Sequence, residues 1–332
     1  MKKSKVTTDH FSVKKYTVED KPSWDNFIRA AKNSTFLFHR DFMEYHSDRF
    51  EDHSLLIFKN EKVVGILPAN ISGKTLYTHQ GLTYGGLLLN EKAKLKEVVE
   101  IFKNLLQWLD ENKIEKLQLK VIPGIYNLLP SDEMDYLLFI VKAAMIRVDV
   151  LSVIDKQRPL KIASNRLEGV KKGQKNNLKV VEGNDFEPFW NTILIPNLAL
   201  RHAAMPVHSA VEITRLANYF PKNILQFNVY KENEIVGGAT IFETENVAHV
   251  QYISANEDKQ QLGTLDFLFE YLITQRFKEK RYFDFGTSNE NQGKNINEGL
   301  LYWKECFGAR SISQSFYEVK TANYKKLESV FI

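Results

Sequence analysis

A nine-residue block occurs twice in this chain. Ile57-Phe58-Lys59-Asn60-Glu61-Lys62-Val63-Val64-Gly65 matches Val229-Tyr230-Lys231-Glu232-Asn233-Glu234-Ile235-Val236-Gly237 at a constant offset of 172 positions. Each block is two apolar runs around a short polar centre, the pattern of a β-hairpin. After each copy come another strand, a glycine turn, a long amphipathic helix and a short strand, ending at Leu117-Gln118-Leu119 and at Phe283-Asp284-Phe285. One such unit is an α/β layer with its own core, so two copies in 332 residues predict two α/β domains, each a mixed central sheet flanked by helices. The boundary is expected where a basic stretch begins, giving an N-terminal domain over 1–155 and a C-terminal domain over 156–332.

Local patterns fill in the first half. A leading strand is expected around Phe11 to Tyr16, and Ser23 reads as the N-cap of a helix carrying Trp24, Phe27, Ile28 and Ala31. Phe38, Phe42, Tyr45 and Phe50 suggest an aromatic-faced helix. Strands follow at 54–58, 62–69 and 74–78, then a helix over 94–112 with Val98, Ile101, Leu105 and Leu109 on one face, then a strand at 116–121. His39, His46 and His53 recur at seven-residue steps, but seven helical residues rise roughly 10 Å, too far for one shared metal ion. No metal is expected.

A formal charge of +4 is too small for a general nucleic-acid binder, so any basic function is local. The local case is Lys156 to Lys179, where eight basic side chains face Glu168 alone. It reads either as a solvated face or as a contact to phosphate or an anionic membrane. Cys306 is the single cysteine, which excludes an intrachain disulfide, and the lysines at the N-terminus precede no apolar segment. A cytoplasmic protein is expected, with attachment at the inner membrane face as an extension of that reading.

The second copy is the better equipped for chemistry. Gln260-Gln261-Leu262-Gly263-Thr264 stands directly before its helix, where backbone N–H groups at a helix N-terminus can hold a phosphate. The first copy has Asn90-Glu91-Lys92 there, with no glycine. Glycine-rich Tyr84-Gly85-Gly86 in the first half can admit a ligand close to the backbone, or simply make a tight turn.

Four segments together resemble the GNAT acyltransferase superfamily and its duplicated FemAB-like branch, which includes peptidoglycan-bridge aminoacyltransferases. They are Val64-Gly65-Ile66-Leu67-Pro68 with Tyr84-Gly85-Gly86, the basic segment Arg166 to Val181, Phe283-Asp284-Phe285-Gly286, and Trp303-Lys304 with Phe307-Gly308-Ala309. The resemblance runs from about Trp24 to Val319. It implies two tandem GNAT-like domains and direct acyl transfer to an amine. It also implies that Gln260, Gln261, Gly263 and Thr264 meet the pyrophosphate of acyl-coenzyme A, although Leu265 stands where such turns carry a small residue.

Such a reaction needs a neutral amine, donors for an oxyanion and an acid for the leaving group. Asp284 at a strand end can orient or deprotonate the amine. Lys304 resembles a functional lysine of the aminoacyltransferase branch that stabilises the tetrahedral intermediate. His202 or His208 can accept a proton, Tyr317 can give one to the leaving group, and Tyr84, Gly85, Gly86 and Arg201 are expected to meet substrate. The expected function is transfer from acyl-coenzyme A to an amine of a cell-envelope precursor such as an amino sugar, free or lipid-linked. Two alternatives stand beside it: an aminoacyl-tRNA donor with a peptidoglycan precursor as acceptor, and a non-catalytic module that binds an anionic envelope component.

Overall fold

The structure, a computed structural model, describes residues 9–332 except 203 and 204, with the side chains of 201 and 202 also outside the description. Two compact units emerge: one of residues up to 148 with 314–332, the other of 149–313.

Unit 1 contains α1 (Lys21–Ala30), α2 (Arg40–Met43), α3 (Leu95–Glu111) and α4 (Glu133–Ile140). Its strands are β1 (Phe11–Lys15), β2 (Glu51–Asp52), β3 (Leu55–Lys59), β4 (Lys62–Leu67), β5 (Asn70–Ser72), β6 (Thr75–Tyr77), β7 (Leu88–Leu89) and β8 (Lys116–Lys120). Strands β1, β3, β4 and β7 make one antiparallel sheet. Strands β8, β6, β5 and β2 lie side by side in a second, and the returning segment Phe316–Lys320 pairs antiparallel with β8. The apolar face of α3 closes the core, with Val98, Ile101, Phe102, Leu105 and Leu109 fully buried against Leu55, Ile57 and Leu67.

Two local expectations are corrected. The first helix starts at Lys21 with Asp20 as its N-cap, not Ser23, because Pro22 takes the first turn, where its missing N–H costs nothing. The aromatic helix over 38–50 is broken into short pieces. Trp24 Nε1 donates to the Phe38 carbonyl (2.8 Å), and the Phe42 N–H turns to the His39 carbonyl (3.0 Å). Arg40 is buried there, bonded to Asp52 (2.6 Å) and lying 3.8 Å over the Tyr16 ring.

Unit 2 takes in most of β9 (Ala144–Asp155), then α5 (Ser164–Lys175) and β10 (Lys179–Gly183). A helix runs from α6 (Glu187–Phe189) through a π-turn into α7 (Ile195–His202), and α8 (Ala210–Tyr219) follows. Then come β11 (Ile224–Lys231), β12 (Glu234–Glu243), β13 (Val247–Ala255), α9 (Lys259–Leu262), α10 (Thr264–Tyr271) and β14 (Tyr282–Thr287). The unit closes with β15 (Asn289–Glu290), β16 (Asn295–Ile296), α11 (Glu298–Glu305) and the start of β17 (Arg310–Lys320). Its sheet order is β10-β11-β12-β13-β14-β9, with β13 and β14 parallel and the other neighbours antiparallel. Phe227, Ile241, Leu268, Phe269, Phe283 and Phe307 are among its core.

The repeated block is the same hairpin in both units. Ile57 pairs with Gly65, Phe58 with Val63 and Lys59 with Lys62; Val229 pairs with Gly237, Tyr230 with Ile235 and Lys231 with Glu234. The bulge falls at the same step in both, between Ile57 and Phe58 and between Val229 and Tyr230. The chain is thus α/β, two tandem domains each built on a mixed sheet with flanking helices. The compact units do not divide at 155/156. Residues 314–332 return to unit 1, held by the ladder to β8 and by Thr321, whose hydroxyl donates to the Ile114 carbonyl (2.7 Å).

Candidate active site

Strands β13 and β14 are paired for three positions and then part. Val247, Ala248 and His249 face Tyr282, Phe283 and Asp284; beyond them β13 runs on along β12 to Ala255, while β14 stays on β9. Where strands diverge, backbone that would be tied into a ladder is open to side chains and ligands.

Asp284 is fully buried at the last paired position. Its Oδ2 lies 2.9 Å from His249 Nδ1, and its Oδ1 accepts the Gly286 N–H (2.7 Å). Gly286 has φ +69°, a backbone state that favours glycine, and it turns the chain so that two successive carbonyls become acceptors. Lys304, near the end of α11, donates to both of them, the carbonyls of Gly286 (3.1 Å) and Thr287 (2.7 Å). It is also buried. Burial pushes its ammonium down to about 8, against the opposing pull of the Asp284 carboxylate. Asp284 and Lys304 therefore meet the same short stretch of β14, and His249 joins them.

A cavity of about 420 Å³ lies entirely within unit 2, lined by other residues than Asp284, His249 and Lys304. The separated end of β13 supplies Ile253, Ser254 and Ala255, α11 supplies Leu300 and Trp303, α7 supplies Asn197 and Leu198, and the π-turn before it supplies Leu194. Asn197 is fixed by hydrogen bonds to Ser254 Oγ (2.8 Å) and the Ala255 carbonyl (2.9 Å). Arg166 and Asp266 complete a charged wall. Asp266 Oδ1 accepts from Arg166 Nη1 (2.9 Å) and Trp303 Nε1 (3.0 Å), and burial still raises its carboxyl above the usual range.

The expected phosphate turn has a packing role that its sequence hid. Gly263 sits at φ +71°, and a Cβ there would run into the Gly169 carbonyl of α5. A Cβ on Gly169 would in turn strike the Asp266 carboxylate, and one on Gly173 would strike Phe267. The glycines let α5 lie directly against the start of α10. Thr264 is fully buried at the first position of α10, Gln260 lines the cavity, and Gln261 is exposed, its N–H on the Asp258 carbonyl (2.9 Å).

The other expected residues fall elsewhere. His208 is buried against Tyr252, Nδ1 to hydroxyl 2.6 Å, and burial pushes that phenol up to about 12. The side chains of Arg201 and His202 lie outside the described residues. Tyr317 belongs to unit 1, opposite Leu119 and packed on its core. Tyr84, Gly85 and Gly86 are also in unit 1. Tyr84 is buried with its hydroxyl on Thr35 Oγ1 (3.1 Å), and Gly85 is a close-packed position where a Cβ would meet the Thr78 carbonyl. Both glycines line a cavity of about 30 Å³, enough for a water rather than a substrate. His249, Asp266 and Asn197 were not singled out by sequence. A histidine on the strand parallel to Asp284 was the signal available for the first.

No family model and no curated protein matches the sequence. Solved structures do match. FemX superposes with a TM-score of 0.66 at 9% identity, covering 96% of this chain and 99% of its own. The fold is FemAB-like. The L-PGS of Bacillus licheniformis gives a TM-score of 0.58 at 10% identity over 91% of both chains. The C-terminal domain assigned to a lysylphosphatidylglycerol synthetase of Agrobacterium fabrum gives 0.58 at 12% identity over 92% of this chain and 93% of that one. No helix among the described residues is long and apolar enough to cross a membrane.

Proposed function

We propose that unit 2 catalyses direct transfer of an activated acyl group to an amine. The observation that carries this reading is the meeting of Asp284, His249 and Lys304 where β13 and β14 part, with Trp303, the chain neighbour of Lys304, lining a cavity of about 420 Å³. Asp284 accepts a hydrogen bond from the Nδ1–H of His249 and so fixes the tautomer in which Nε2 is the basic nitrogen. The amine nitrogen bonds to the acyl carbon and its proton passes to His249 Nε2; the imidazolium then gives that proton to the leaving sulfur or oxygen as its bond to the acyl carbon breaks. The Lys304 ammonium, short of solvent, supplies positive charge to the oxyanion formed between these two events. Asp284 is then a positioning residue and His249 takes the proton-accepting role that the sequence offered to His202 or His208.

The donor of the leading reading is an acyl thioester of coenzyme A. A second reading, an aminoacyl ester of tRNA, is favoured by the turn at Gly263. There the glycine is packed under α5 and Asp266 follows with a carboxylate, an arrangement poorly suited to a pyrophosphate. The acceptor is an amine of an envelope precursor. A screen by thermal shift and product mass spectrometry, with an acyl-coenzyme A panel against charged tRNA, separates the readings. One donor class should raise the melting temperature and yield an amide; stabilisation by neither, and no amide, would overturn the proposal.

A further inference from the structure

Leu200 and the stretch from residue 205 to 222 expose several apolar side chains. Leu200 is 82% exposed and Val211 76%, and Met205, Val207 and Tyr219 are each more than half exposed. Val211 and Tyr219 lie eight residues apart on α8, with Arg215 midway between them, so the three share one outward face. The opposite face of the helix, Ile213, Leu216 and Ala217, is buried. Helix α8 is therefore amphipathic inward, yet carries apolar residues outward as well.

The charges on this segment are one-sided. Arg215 and Lys222 are exposed, and Glu212 is the lone acid from 200 to 222. Glu212 is turned back on the chain, accepting the Ser209 N–H (2.7 Å) while Ser209 Oγ accepts the Glu212 N–H (3.1 Å) in a capping box. Exposed apolar side chains among cations, with the acid withdrawn, suit a surface that is oily beneath and negative above.

We propose that Leu200 and residues 205–222 dock unit 2 on a lipid bilayer bearing anionic headgroups. The inference stands apart from the proposed chemistry but bears on it, because α7, which walls the cavity through Asn197 and Leu198, also carries Leu200. Docking here brings a lipid-borne acceptor to the cavity wall. It also differs from the expected basic contact over 156–179. Three of that stretch's eight cations are engaged internally: Lys156 on the Ile273 carbonyl, Arg166 on Asp266, and Lys172 on the Gln260 carbonyl (3.3 Å).

Sedimentation with sucrose-loaded vesicles tests the proposal, using phosphatidylcholine alone and phosphatidylcholine with about a third phosphatidylglycerol. The full chain should bind the anionic vesicles and bind neutral ones far less. Val211→Ser with Tyr219→Ser should lower partitioning about tenfold, and Arg215→Ala or Lys222→Ala about fivefold each. All four sites are on the surface, so folding is preserved, which circular dichroism checks. Absence of wild-type binding would overturn the proposal. So would loss of binding in Lys171→Ala with Lys175→Ala while the 205–222 variants still bind, which would place the contact on α5. Self-association abolished by Val211→Ser, without vesicle binding, would make the face an interface between two copies and likewise overturn it.

Discussion

Burial of Lys304 sets what a single side chain can do here. An ammonium held near 8 by desolvation is mostly charged at pH 7 and loses its proton as the pH rises through 8. If it stabilises an oxyanion, kcat falls on the basic side with a midpoint near 8. Lys304→Met removes that limb and is slower; a rate that instead climbs through pH 8 to a plateau would make Lys304 a base. His79 offers a test by stability. It stacks on His46, ring centroids 4.7 Å apart, and burial with the neighbouring imidazole pushes it down to about 3. Its folded value lies below the unfolded one, so the unfolded chain binds the extra proton once the pH drops below about 6.5. Stability is therefore lost on acidification from that point. His79→Gln should show a shallower decline in unfolding free energy between about pH 7 and pH 4.5, measured by urea titration; an unchanged slope would count against the assignment.

At the scale of elements, the hairpins were legible and the site only in part. Local alternation and a repeated block are enough to predict β3–β4 and β11–β12, since register follows from turn and bulge. Asp284 and Lys304 could be singled out, but not their meeting, which depends on α11 folding back over Gly286. His249 was missed because its partner lies 35 residues away across a parallel pairing, with no local pattern to announce it. At Gly263 the sequence could not show the packing of α5, because a glycine that admits a phosphate and a glycine that admits a helix look alike in sequence. The helix reading makes its own prediction. Gly169→Ala and Gly263→Ala should each destabilise unit 2 by about 1–3 kcal/mol, read as a lower melting temperature, because α5 has to move off α10. A neutral Gly263→Ala would restore the phosphate-turn reading.

For the whole molecule, the division of the chain is itself testable. Unit 1 is completed by residues that follow unit 2 in sequence, so a chain ending at Ser313 lacks the strand on β8 and the Thr321 bonds. Hydrogen exchange should then show lost protection in α3 and β8 and retained protection in β11 to β13. Uniform loss would mean that the two units unfold as one. Composition and a modest net charge could not foretell this return, which rests on one terminal strand. The function proposed for the molecule rests on unit 2, and one measurement bears on it most directly: acyl-transfer turnover of Asp284→Asn and Lys304→Ala, beside the wild-type chain and with the donor that stabilises it. Each variant should fall at least about tenfold, equivalent to roughly 1.4 kcal/mol of transition-state stabilisation. Near-wild-type turnover in both would contradict the assignment of the parted strands as an acyl-transfer centre.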